Sequence, residues 1–326
     1  MIKNLVFSGS GSKLFIHLGC INYLKELNYL KNITTYVGTS GGAIIAFLLS
    51  IGYEPEILTE LFLKLDYDHI KTIDSDSIFN FFENYGFDNG EKLRRVMRII
   101  LKNKHKVMNM TFKELKEKTN NNLVVCVTNI NKHSEQFLNY KTHPDLDIID
   151  ATLMSVSVPF LFVPRKYNNE LFVDGGIICH YPINYLEKDL SLKREETLGI
   201  LLIQEFHFSK DNLDNYIINE FNSECSNDIN TFENFLYNML GCFMLKNLKK
   251  YFQKYRDLTI VCVNDNNGLY MDIDNNLKNK FLKEGYDTAK KYFKNKFYNN
   301  LSNDVFNNIL NDLIKEEIKL IIKKIN

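Results

Sequence analysis

The chain has 326 residues, enough for one sizeable core or one core with an appendage. Its 40 acidic and 40 basic residues cancel, which argues against a broad electrostatic attraction to nucleic acid. Six cysteines lie scattered, with neither a C-x-x-C pair nor a Cys/His spacing suited to a metal, and read as small core hydrophobes.

Ile2 to Ser8 is short and apolar, as a buried strand requires, and runs into the small-residue loop Gly9-Ser10-Gly11-Ser12-Lys13. A helix is predicted from Leu14 to Leu27, with Leu14, Leu18, Ile21, Leu24 and Leu27 at helical spacing. Such a loop offers backbone N–H groups unblocked by side chains and can cradle an anion. A Walker loop fails because Lys13 is followed by Leu14, and a dinucleotide fingerprint fails for want of a third glycine. An oxyanion hole and a plain strand-to-helix connection both remain open.

Ile33 to Val37 is a second buried strand, and Ala43 to Leu49 a buried helix. Between them stands Gly38-Thr39-Ser40-Gly41-Gly42, a G-x-S-x-G turn that would project the Ser40 hydroxyl toward the N-terminus of the following helix. Helices are predicted over Pro55–Leu65, Ser77–Asn84, Glu91–Lys102 and Thr111–Lys118. Strands are predicted over Leu123–Thr128, Phe137–Tyr140, Leu171–Val173 and Leu198–Gln204. The alternation implies an α/β fold with a mainly parallel sheet between two helical layers. At the end of the strand near Leu171 comes Phe172-Val173-Asp174-Gly175-Gly176. Asp-Gly-Gly alone is a common turn, but a catalytic serine needs a base, and Asp174 could accept its proton. A Ser–His–Asp arrangement is disfavoured: only one strand–loop–helix unit precedes Ser40. The histidines downstream (His69, His105, His133, His143, His180, His207) show no acid at a suggestive spacing and read as lying in polar surroundings.

These three sites together resemble the patatin-like phospholipases. The resemblance implies a Ser–Asp dyad, with Ser40 as nucleophile and Asp174 as its base, and an oxyanion hole built from Gly9, Ser10, Gly11, Ser12 and Gly41. It extends to the small-residue run Ala151 to Phe160 ahead of Asp174. It also takes in the closing strands Leu258–Val263 and Leu269–Ile273 and the closing helix Asn275–Phe293 with Gly285-Tyr286. Coverage is about residues 2 to 296, weakest from Phe206 to Arg256. The chain departs from the family's loop, Gly-Gly-Gly-x-Arg/Lys-Gly, at Ser10 and Leu14; a Cβ is awkward wherever φ must be positive. What the resemblance implies is a three-layer, patatin-like domain over residues 1–298, with a helical insertion or lid at 206–256 and a C-terminal amphipathic helix at 299–326. The implied activity is hydrolysis of fatty-acyl esters of phospholipid or another acyl lipid, of the phospholipase A type, through an acyl-enzyme and without cofactor or metal. Lys13 would stand near the loop and could contact an anionic head group. The alternatives are a lipid-binding protein without turnover, and a serine esterase or peptidase using a histidine, His180 being nearest in sequence.

No stretch reaches the ~20 apolar residues of a membrane-spanning helix. Membrane contact, if any, would be peripheral; the amphipathic stretches Thr231–Phe252 and Asn303–Ile325 could supply it, but packing on the domain is the favoured reading for both, with self-association next for the second. Ser209 to Asp228 is the best candidate for a mobile lid. The N-terminal residues lack the pattern of a secretory signal, so a cytoplasmic protein is expected.

Overall fold

In the computed structural model, the described residues are 1–66, 70, 81, 83–204, 235, 239, 241–242, 248, 251–264 and 273–299. The strands are β1 (Asn4–Phe7), β2 (Thr35–Thr39), β3 (Gly86–Asp88), β4 (Asn122–Asn129), β5 (Ser134–Leu138), β6 (Phe160–Phe162), β7 (Arg165–Tyr167), β8 (Glu170–Asp174), β9 (Thr197–Gln204) and β10 (Thr259–Asn264). The α-helices are α1 (Leu14–Glu26), α2 (Gly41–Ser50), α3 (Pro55–Lys64), α4 (Glu91–His105), α5 (Phe112–Thr119), α6 (Ile148–Val156), α7 (Tyr185–Lys188) and α8 (Asn275–Asn299).

Eight strands form one sheet in the order β10-β9-β1-β2-β4-β8-β7, with β5 also paired to β4. The five strands from β10 to β4 are parallel, and β5, β8 and β7 join antiparallel. Both faces are covered. Leu5, Phe7, Val125, Ile200 and Ile260 pack on one side with α1, α2 and α6. Val6, Val37, Val124, Leu201 and Val261 pack on the other with Tyr181, Tyr185 and Phe252. Consecutive strand residues point to opposite faces, so a sheet buried on both sides needs near-continuous apolar strands, which is what β1, β4 and β9 supply. The fold is the three-layer α/β architecture expected.

The closing helix α8 lies against α1 with almost no side-chain gap. A Cβ on Gly19 would come within 2.0 Å of the Leu282 carbonyl oxygen, and one on Gly285 within 2.0 Å of that of Ile16. The helix α1 is buried without a break from Leu14 to Ile21, beyond the apolar positions noted at helical spacing.

One element differs from expectation. The strand expected at Phe137–Tyr140 runs earlier, Ser134–Leu138, because it is the return arm of a hairpin with β4. The run from Ala151 to Phe160 divides into the end of α6 and the start of β6, which pairs with β3 in a small separate sheet. The strand expected at Leu269–Ile273, most of the helix at Ser77–Asn84, the candidate lid, most of Thr231–Phe252 and all of Asn303–Ile325 lie outside the described residues. Among the described residues no helix is long and apolar enough to cross a membrane.

Candidate active site

Sheet register brings Ser40 and Asp174 together. Strand β4 has two edges, and β5 occupies one of them from Val125 to Asn129. Strands β2 and β8 both overlap β5 in register and must therefore share the other edge. There β2 pairs up to Cys126, opposite Thr39, and β8 ends at Val127, opposite Asp174. The two strands run toward each other and their C-terminal ends meet on adjacent residues of β4. The chain turns away at Ser40 on one side of the junction and at Gly175 on the other. A Cβ on Gly175 would stand 2.3 Å from the Cys126 carbonyl oxygen and 3.2 Å from Thr39 Cγ2, so only glycine permits this closeness.

Ser40 holds φ 52° and ψ −127°, a conformation unfavourable for a residue with a Cβ, and it is half-buried. Such strain costs on the order of 1–3 kcal/mol and persists only where the surroundings impose it. The brace is the end of α6. The Ser40 N–H donates to Ser155 Oγ (2.9 Å), and Ser155 Oγ donates in turn to the Cys126 carbonyl (2.6 Å). Two residues on, the Ser157 carbonyl accepts from the Asp174 N–H (2.8 Å). One helix end thus fixes the backbone of both candidates. Sequence reading took this segment for a family likeness and missed Ser155; the only signal was its small-residue character.

The Asp174 side chain is buried, with Oδ1 accepting from the Gly176 N–H at 2.7 Å. Burial raises its pKa from 3.8 to about 7; the Ser40 hydroxyl and the Gly176 N–H, which favour the charged form, offset only part of that rise. Oδ2 has no partner at ordinary hydrogen-bond geometry. The Ser40 hydroxyl is near enough to act on the carboxyl, so we read their contact as long or bent, as resting sites commonly are before substrate tightens them.

The loop after β1 lies across from Ser40. A Cβ on Gly41 would meet Ser10 Oγ at 2.5 Å and the Gly11 carbonyl oxygen at 2.7 Å, so α2 begins in direct contact with this loop. Positive φ falls on Gly11 (52°), while Ser10 sits at −148° and pays nothing for its Cβ. Leu14 enters α1 with ordinary helical angles and is buried. Both departures from the family's loop are thereby accommodated. The N–H groups of Gly11, Ser12 and Gly41 open their helical turns and donate to no backbone acceptor among the described residues. Gly9 differs from the expectation: its N–H is committed to the His180 carbonyl at 2.8 Å. Lys13 also differs. It is 5 % exposed at the start of α1, where a lysine open to solvent was expected.

Two histidines flank the loop. His17 Nε2 donates to the Ser8 carbonyl (3.0 Å), and burial lowers its pKa to about 4, so the ring is neutral. His180 lies against Gly9 with Nε2 donating to the Leu202 carbonyl (3.1 Å), and burial lowers its pKa as well. The Ser8–Gly9 peptide is thus held at its oxygen by His17 and at its nitrogen by His180. Polar surroundings were expected for His180; it is half-buried against the Gly9 backbone instead. His17 escaped sequence reading because a histidine on an apolar helix carries no pattern of its own.

Ser40, Gly41, Gly11 and Ser12 stand at one end of an apolar cavity of about 180 Å³, whose walls include Ile44, Phe47, Phe62, Leu93, Met97 and Leu161. An apolar lining of this kind suits an apolar guest. A larger polar groove of about 610 Å³ lies over β5, β7 and β8, crossed by the Lys132–Glu170 and Lys141–Asp189 ion pairs. It reaches neither Ser40 nor Asp174, whereas Ser40 lines the apolar cavity. Cys20, Cys126, Cys179 and Cys262 are buried free thiols, as expected; Cys242 is exposed.

Comparison with known proteins agrees with this geometry. The family profile described as "Patatin-like phospholipase" matches residues 5–186. The chain is 36% identical over 185 residues to "Probable lipid hydrolase 463L" of Invertebrate iridescent virus 6, covering 56% of this chain and 62% of that protein. It is 34% identical over 206 residues to "Uncharacterized protein R571" of Acanthamoeba polyphaga mimivirus, covering 61% of this chain and 65% of that protein. The matched region therefore spans a little under two thirds of each viral relative. Among solved structures, VipD from Legionella pneumophila superposes with a TM-score of 0.55 at 18% identity, covering 90% of this chain and 67% of that one, a likeness of fold. The chain belongs to the patatin-like phospholipase family.

Proposed function

We propose that the protein is a lipid acyl hydrolase of the phospholipase A type, acting through Ser40 and Asp174. Asp174 accepts the Ser40 proton as Oγ attacks the ester carbonyl carbon. The N–H groups of Gly11, Ser12 and Gly41 stabilise the oxyanion, each such donor being worth ~10²–10³ in rate. Collapse of the intermediate expels the alcohol, which takes the proton from Asp174 and leaves Ser40 acylated. Asp174 then deprotonates a water that attacks the acyl-enzyme, and the fatty acid departs as Ser40 regains its proton. The observation that carries this reading is the strained Ser40, which lines an apolar cavity and has the buried Asp174 carboxyl beside it. That cavity would take the acyl chain nearest the scissile bond.

Release of free fatty acid from mixed phospholipid vesicles is the test. Wild type should release it, Ser40→Ala and Asp174→Asn should not, and His180→Gln should retain most activity. Loss in the His180 variant with full activity in Asp174→Asn would transfer the role of base to the histidine.

A further inference from the structure

The chain has no net charge, yet α4 (Glu91–His105) concentrates Lys92, Arg94, Arg95, Arg98, Lys102 and Lys104 against one acid, Glu91. Neighbours divide these cations into two groups. Arg94 pairs with Asp150 and Glu91, Arg98 donates to the Met108 carbonyl and faces Asp147 of the α6 cap, and Lys104 lies over the Tyr53 ring. Lys92, Arg95 and Lys102 have no ion pair among the described residues and are exposed. Their spacing from the first, three and ten residues on, places them in one row along the helix, with Ile99 in the same row. Ile99 is 49% exposed, and the chain just beyond the helix exposes Val107 and Met108. The opposite side of α4 supplies Leu93, Val96, Met97 and Ile100 to the wall of the apolar cavity.

A basic row with apolar side chains set among it is the pattern of a helix lying in a membrane interface. We propose that the outer row of α4 docks the protein on an anionic lipid surface, the proposal resting on the reading of the cavity as a lipid site. The helix would then touch the bilayer on one side and the acyl chain on the other. Anionic lipid is favoured over nucleic acid or an acidic protein because the exposed Ile99, Val107 and Met108 need an apolar medium to enter and the same helix walls the cavity. Each basic residue close to such a surface is worth roughly fivefold in partitioning, so three should be worth about a hundredfold.

The test is cosedimentation of the full chain with vesicles of phosphatidylcholine alone and with equal parts phosphatidylserine, beside the variant Lys92→Gln/Arg95→Gln/Lys102→Gln. Wild type should bind the anionic vesicles far better than the neutral ones and release them at high salt. The triple variant should lose about a hundredfold in binding while still hydrolysing a soluble short-chain ester, which also shows that it is folded. Ile99→Asn should weaken binding at constant row charge. Equal wild-type binding to both vesicle types, retained binding by the triple variant, or preference for a polyanion such as RNA over anionic vesicles would each overturn the proposal. A wild type that binds vesicles yet hydrolyses no ester would leave docking standing and remove the hydrolase reading instead.

Discussion

Replacing Asp174 with asparagine should sharply lower activity and raise stability relative to wild type as pH rises. The carboxyl's pKa is raised from 3.8 to about 7 by burial. A group whose folded pKa lies above its unfolded value favours the fold most below the unfolded pKa, and that advantage is lost as pH rises through the folded pKa. For Asp174 the loss accumulates between 3.8 and about 7. A shift of about three units amounts to roughly 4 kcal/mol at ~1.4 kcal/mol per unit. Near pH 5 only about 2 kcal/mol of this is spent, and by pH 8 nearly all of it. The new amide carries its own cost, an N–H₂ facing Ser40 with an imperfect partner, but that cost is the same at both pH values. Urea unfolding of both proteins at each pH isolates the carboxylate: the stability of the variant relative to wild type should improve by ~2–3 kcal/mol between about pH 5 and pH 8. A gap that stays constant would refute the claim that burial sets this pKa. Loss of the general base should lower kcat by ~10²–10⁴, and wild-type kcat/KM should rise with pH through about 7.

Ser155→Ala removes the acceptor of the Ser40 N–H and should cost about 1–3 kcal/mol, read as a lower kcat with little change in KM, since the elbow relaxes before it unfolds. His17→Ala should lower kcat by freeing the Ser8 carbonyl, and His17→Gln, which can still donate, should restore much of it. The depressed pKa of His17 gives wild type stability that is present above 6.5 and lost as pH falls toward about 4; the Gln variant should lack that loss in urea melts. Ser10→Gly should leave activity within a few-fold, because Ser10 already has negative φ, whereas Leu14→Ala should cost ~2–5 kcal/mol in thermal or urea unfolding.

The main architecture could be read from the sequence because a sheet buried on both faces leaves apolar runs that need no partner to be recognised. The positions of β1, β2, β4, β9 and β10 follow from such runs. Ser40, Asp174 and the loop from Gly9 to Lys13 were visible because glycines and other small residues adjoin each of them. What brings Ser40 and Asp174 together was not visible. It is a register, β2 and β8 ending on adjacent residues of β4, and register is set by pairings remote in sequence. For the same reason β7 and the short β3–β6 sheet could not be foreseen, nor could the commitment of the Gly9 N–H to His180. Lys13 looked like a surface cation because lysine usually is one; in this fold it is covered.

The acyl-enzyme is the most direct place to test the central claim. Acid quenching during turnover of a phospholipid, followed by peptide mass analysis, should find the fatty-acyl group on the peptide bearing Ser40. Steady release of fatty acid with no acyl group on Ser40, or with the group on another residue, would contradict it.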